Sequence, residues 1–184
     1  MKRSYFLLLL IIFSIYSCKK EKGCVTENAM NYNSDAKKDD GSCIYVSDIA
    51  PGLWHIDPSC EEILIPQFDQ NGDIVFPLQF DDTIKFEELL ADSINVLYNS
   101  GDSYYIDIFG LQIEGKIDNN GVINIPRKSI EFEDFEIPIE LDGSGKINED
   151  ATGQINLNLY ILTGIAFYPE IQYNPLCVIS LSKN

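Results

Sequence analysis

The sequence predicts an all-β fold built as an antiparallel meander, and three observations predict it. First, apolar residues beyond Gly52 recur at every second position, as in Gln154-Ile155-Asn156-Leu157-Asn158-Leu159-Tyr160-Ile161 and Leu111-Gln112-Ile113-Glu114-Gly115-Lys116-Ile117. That is the period of a strand with one buried face. Second, Asn71-Gly72 and Asn120-Gly121 are each followed by a parallel pattern, Asp73-Ile74-Val75-Phe76-Pro77 and Val122-Ile123-Asn124-Ile125-Pro126. Each Asn-Gly pair reads as a tight hairpin turn, and Asp142-Gly143-Ser144-Gly145 as a third turn. Third, nothing in residues 50–184 has the length and period of a crossover helix; only residues 82–91 suggest a helix, one short turn capped by Asp82 with Phe86, Leu89 and Leu90 on one face. Such a chain forms either a closed barrel or a sandwich. Closure is preferred because it removes exposed sheet edges.

The N-terminal part is organised differently. Met1-Lys2-Arg3 precedes an apolar run over residues 6–13, then Ser14-Ile15-Tyr16-Ser17 and Cys18, the pattern of a secretory signal over residues 1–17. A spanning helix needs roughly 20 apolar residues, and this run meets Cys18-Lys19-Lys20-Glu21-Lys22 too early. A short uncleaved anchor is the alternative. Ile15-Tyr16-Ser17-Cys18 resembles the lipobox of bacterial lipoproteins, departing from it only in the bulk of Tyr16. The resemblance implies that Cys18 carries a diacylglycerol and becomes the mature N-terminus. Because each buried methylene contributes about 0.8 kcal/mol, two or three acyl chains attach durably where one does not. Residues 18–22 then form a charged tether, loosely similar to the export tags of surface lipoproteins of Bacteroidota. The expected location is the cell envelope, as an outer-membrane lipoprotein facing the periplasm or the outside.

With Cys18 assigned to lipid, Cys24, Cys43, Cys60 and Cys177 remain, an even number in an oxidising export compartment. Three connectivities are possible. Cys24 with Cys43 is favoured because both bound one small polar segment, and Cys60 with Cys177 then joins the two ends of the remaining chain. Zinc is the other use of four cysteines, but the chain has no close Cys-x-x-Cys pair and a single histidine, His55.

Residues 23–45 contain too few apolar side chains for a core and need a covalent staple. Ala29, Asn31, Tyr32, Asn33, Ala36 and Asp39-Asp40-Gly41-Ser42-Cys43 resemble a short cysteine-bounded module of exported Bacteroidota proteins. Asn31, Asn33, Asp35, Asp39 and Asp40 are a candidate calcium ligand set, since calcium takes six to eight oxygens. The competing and favoured reading is that these side chains form turns with nearby backbone; the spacing is not that of an EF-hand and lacks its bidentate glutamate. No other cofactor is indicated.

Cleavage after residue 17 would leave 11 basic against 29 acidic side chains, a formal charge of −18. Residues 18–43 are balanced, so the acidity belongs to the chain beyond Cys43. A domain this acidic repels phosphate backbones, which argues against nucleic-acid binding. Catalytic signatures are few. No Gly-x-Ser-x-Gly is present, and His55 stands beside Trp54 as a lone histidine, which is more often structural than catalytic. Glu61-Glu62, Asp81-Asp82, Glu87-Glu88 and Glu131-Phe132-Glu133-Asp134 could supply a carboxylate pair. Adjacent carboxylates on a strand point to opposite faces, however, and a solvated acidic surface is the plainer reading.

Gly52-Leu53-Trp54, Cys60, the Gly-Ser-Gly strand entry and the terminal Cys177-Val178-Ile179-Ser180-Leu181 resemble small lipocalin-like (calycin-like) lipoproteins of Bacteroidota. The resemblance implies a β-barrel over residues 50–184 with a cysteine joining its first and last strands. The function expected of such a barrel is a non-enzymatic binding module of unknown ligand, with a small apolar molecule one candidate. Ten Phe, ten Tyr and Trp54 would either line a cavity or fill it. The alternative function is a structural lipoprotein that docks an envelope protein through its acidic surface.

Overall fold

A computed structural model describes residues 21–71, 73–108, 110–132, 135–165 and 168–183; for 81, 131–132, 135–138, 164–165 and 168–169 among these it describes the backbone alone. The predicted signal and Cys18 lie outside the described residues. The chain divides into two compact units, with the boundary between Ile44 and Tyr45.

Residues 21–44, the described part of the first unit, have almost no regular structure, as their composition requires. Two parallel two-residue strands, β1 (Lys22–Gly23) and β2 (Lys38–Asp39), pair side by side. Cys24 and Ala29 are buried, and the Cys24–Cys43 disulfide ties the segment together. Asn31 acts as an internal clamp: its Nδ2 donates to the Ser42 carbonyl at 2.5 Å, and its Oδ1 accepts from the Ile44 amide at 2.9 Å.

The second unit opens with a short helix, α1 (Val46–Ile49), and then runs through β3 (Gly52–Cys60), β4 (Glu62–Pro66), β5 (Phe80–Lys85), a 3-10 turn (Phe86–Leu89), β6 (Ser93–Ser100), β7 (Ser103–Ile108), β8 (Leu111–Ile117), β9 (Val122–Phe132), β10 (Phe135–Ile147), β11 (Thr152–Ile165) and β12 (Tyr168–Ser182). Eight of these strands close a barrel in the order β10-β11-β12-β3-β6-β7-β8-β9, every neighbouring pair antiparallel. The alternation read from the sequence has its predicted consequence. On β11 the side chains of Ile155, Leu157, Leu159 and Ile161 are buried, while Gln154, Asn156 and Asn158 lie on the other face. The apolar face is therefore inside and the polar face meets water, the reverse of a lipid-facing barrel wall. Among the described residues no helix is long and apolar enough to cross a membrane.

One end of the barrel is plugged. Trp54 is fully buried, and its indole Nε1 donates to the Ala50 carbonyl at 2.8 Å, which pins the end of α1. Lys183, just past β12, donates through Nζ to the carbonyls of Ile49 and Pro51 and stands 5.5 Å from the Trp54 ring centroid. The ammonium satisfies backbone oxygens that a short helix leaves open and gains a cation–π contact.

Three sequence expectations need correction. Asp142-Gly143-Ser144-Gly145 is not a turn but lies within β10. Glycine is needed there for close packing: a Cβ on Gly145 would come within 2.2 Å of the Gln154 carbonyl oxygen, and one on Gly143 within 2.9 Å of Leu157 Cδ2. Residues 73–77 form no strand; Ile74 makes one isolated bridge to Phe68, and the turn itself falls partly on the undescribed Gly72. The helix expected over 82–91 is reduced to the four-residue 3-10 turn, because β5 continues to Lys85 and Asp82 bonds its neighbour Thr83 rather than capping. The Asn120-Gly121 turn is as expected: Asp118 Oδ1 accepts from the amides of Asn120 and Val122 at 2.9 Å each, and Gly121 has φ +78°.

Ala151, in the β10–β11 turn, has φ +58°, a left-handed conformation that disfavours a Cβ. Ala151→Gly is expected to stabilise the barrel by about 0.5 to 1 kcal/mol, read as a higher urea midpoint with an unchanged slope.

The barrel wall is uneven. Among the described residues β10 and β11 share nine paired positions, Ile139 to Ile147, whereas β8 and β9 share two, Lys116 with Asn124 and Ile117 with Ile123. Pro126, two residues beyond Asn124 in β9, has no amide hydrogen to continue the ladder.

Candidate binding site

The site lies at the other end of the barrel from Trp54. There β3 ends at Cys60, and the chain makes an insertion before β6 begins at Ser93. Within it β4 and β5 pair only with each other, Ile63 opposite Ile84 and Leu64 opposite Thr83. Strand alternation sends Ile63 toward the barrel and leaves Leu64 outside. Both bases of this hairpin are fixed. Cys60 is joined to Cys177 on β12, with the two residues directly opposed in the ladder, and the next amide, Glu61, donates to the Leu176 carbonyl at 2.8 Å. At the far base Phe86 is 1 % exposed. Between these points Tyr173 of β12 latches the hairpin: its hydroxyl accepts from the Leu64 amide at 2.8 Å and donates to the Leu64 carbonyl at 3.4 Å.

Under the hairpin is an apolar cleft. Ile63, Ile65, Ile84, Phe86 and Leu89 cover it, and Ile139 and Leu159 from the barrel interior form its floor. Its open volume is about 20 Å³, close to the least that holds one water, and small-molecule sites usually run to about 300–1,000 Å³. As it stands the cleft is a partly open crevice, too small to hold such a molecule. Its lining is branched aliphatic apart from one phenyl ring and presents no hydrogen-bonding group.

The outer wall at this end carries a polar network that sequence reading missed. Arg127 of β9 spans three neighbouring strands: Nε bonds Glu140 of β10 at 2.5 Å, Nη2 bonds Glu170 of β12, and its guanidinium carbon stands 3.7 Å above the Tyr160 ring of β11. Tyr160 donates to Asp142 at 2.9 Å, and Asn158 donates to the same carboxylate at 2.6 Å. The hydrogen bond from Arg127 holds the Glu170 carboxyl below its ordinary value. Burial, and then the bond to Asp142, raise the Tyr160 phenol. No local signal reveals this strap, because its partners are 13 and 43 residues away from Arg127.

The sign of its pH dependence is set by the Glu170 shift. A carboxyl whose folded pKa is depressed contributes stability above its unfolded pKa, near 4.3, and loses it as pH falls through the folded value. Arg127→Met should therefore flatten the acid limb of the stability profile below about pH 4.3. Urea midpoints of both proteins between neutral and acid pH measure it; parallel profiles would contradict the assignment.

The other residues singled out by sequence have different placements. The four cysteines pair as Cys24–Cys43 and Cys60–Cys177. In the first unit Asn33, Asp39 and Asp40 each accept a backbone amide two residues ahead, from Asp35, Gly41 and Ser42. The Ser42 hydroxyl, with its amide, also lowers the Asp40 carboxyl. These are the side-chain turns of the competing reading. Among the described residues no three His, Cys, Asp or Glu side chains are grouped to hold a metal ion. His55 is exposed on β3, separate from the cleft. Glu61, Glu62, Glu87 and Glu88 are exposed on the insertion, while the side chains of Asp81, Glu131, Phe132, Glu133 and Asp134 lie outside what is described. Compared with known families, curated proteins and solved structures, the chain matches none.

Proposed function

We propose that this chain is an exported, lipid-anchored, non-enzymatic binding protein that takes a small apolar molecule between the β4–β5 hairpin and the barrel floor. The observation that carries the reading is the all-apolar cleft floored by Ile139 and Leu159 and roofed by a hairpin whose strands pair only with each other. A ligand enters by lifting the hairpin against the Tyr173 latch, pivoting on the bases at Cys60 and Phe86. The lining fits a saturated, branched or linear aliphatic group, since a polar ligand would lose its water contacts without replacement. Anchorage through Cys18 would hold the protein at the cell envelope, supported by the lipobox resemblance and by the complete pairing of the remaining four cysteines.

Calorimetric titration of the mature-length chain with an aliphatic alcohol such as 1-decanol tests this. Binding should carry a negative heat-capacity change, the mark of apolar burial. Ile65→Asn, at a partly exposed position of the lining, should weaken it by about tenfold. No heat with either protein, or equal affinity for both, would overturn the assignment of the cleft.

A further inference from the structure

The outer side of the same insertion has properties that the cleft does not require. Leu64, Phe68, Phe76 and Phe80 are exposed by 41, 37, 60 and 45 %, and the exposed phenylalanines among the described residues all fall on this one segment. Phenylalanine has no polar atom to meet water, so three on one hairpin mark a contact surface. Register brings three of them near one another: Phe80 lies opposite Pro66, two residues from both Leu64 and Phe68, and Phe68 bridges to Ile74, two residues before Phe76. The surrounding charge is one-sided. Residues 61–92 hold nine carboxylates against the single Lys85, a formal charge of −8, and Lys85 is itself paired with Glu88 at 3.6 Å.

This charge decides between possible occupants. A second copy would bring two rims of −8 together, and an anionic bilayer surface would meet the same repulsion. We infer that the outer face of the β4–β5 hairpin docks a segment of another protein that presents apolar side chains flanked by lysine or arginine. The phenylalanines supply the buried contact, and the carboxylates set orientation and encounter rate. The surface is separate from the lining of the cleft, so it stands whether or not the cleft binds a ligand.

Two synthetic amphipathic peptides sharing a leucine face, one rimmed by lysine and one by glutamate, test it against the chain from residue 18 carrying Cys18→Ser, with binding followed by fluorescence anisotropy. The lysine peptide should bind, the glutamate peptide should not, and raising the salt should weaken the complex. Phe68→Ser with Phe80→Ser leaves the net charge unchanged and should weaken the lysine peptide by about tenfold or more, with unfolding midpoints confirming that the barrel is intact. Equal binding of both peptides, or undiminished binding by the double variant, would overturn the proposal. Phenylalanine-dependent flotation on vesicles of phosphatidylcholine or of phosphatidylglycerol would do so too, as would phenylalanine-dependent self-association in sedimentation, because each names a different occupant.

Discussion

Replacing Cys60 and Cys177 together by serine is expected to lower the stability of the barrel by about 5 kcal/mol on loop-closure entropy. The bond closes a sequence separation of 117 residues, so in the unfolded chain it removes most of the freedom that separates the first and last barrel strands. Against a typical net stability of about 5–15 kcal/mol, the variant would be marginal. The same change at Cys24 and Cys43, separated by 19 residues, is expected to cost about 3 kcal/mol. That loss should fall on the first unit and leave the barrel transition where it was, since neither cysteine lies in the second unit. Urea unfolding of the three oxidised proteins measures both effects. A barrel midpoint shifted by the Cys24 and Cys43 substitutions, or unmoved by those at Cys60 and Cys177, would contradict this expectation.

Trp54→Ala should cost about 3–5 kcal/mol, the range for emptying a large aromatic site in a core. The indole is fully buried, its Nε1–H pins the Ala50 carbonyl, and its ring faces the Lys183 ammonium. Its removal would leave an unfilled volume, an acceptor without its donor and a cation without its ring. Trp54→Phe keeps most of the packing and loses the hydrogen bond, for about 1–3 kcal/mol. Thermal unfolding separates the two, with the alanine variant melting well below the phenylalanine variant. Equal midpoints would mean that the hydrogen bond, not the ring, carries the closure.

Much of the barrel was legible because its physics is local. A period of two is visible in single strands, and the alternating stretch Leu111–Ile117 is β8 in the structure. The cysteine pairs could be reasoned from number and position alone. Glycine misled because one residue type serves two ends: at Gly121 it permits a positive φ, while at Gly145 it admits a neighbouring carbonyl, and only the neighbour distinguishes them. The cleft was not legible. Ile63, Ile65 and Ile84 look like any alternating strand, and nothing local says that β4 and β5 leave the barrel sheet to roof over Ile139 and Leu159. The Arg127 strap was invisible for a related reason, since its partners meet only after four strands have taken register.

The thin β8–β9 seam also determines how the native barrel breathes. Amide exchange proceeds through the least costly local opening, and parting two paired residues costs less than parting the nine of β10 and β11. On the other side of that seam β9, β10 and β12 are cross-braced on the outer wall by Arg127, whose guanidinium also stacks on Tyr160 of β11. The amides that β8 and β9 exchange with each other are therefore expected to lose protection before those shared by β10 and β11.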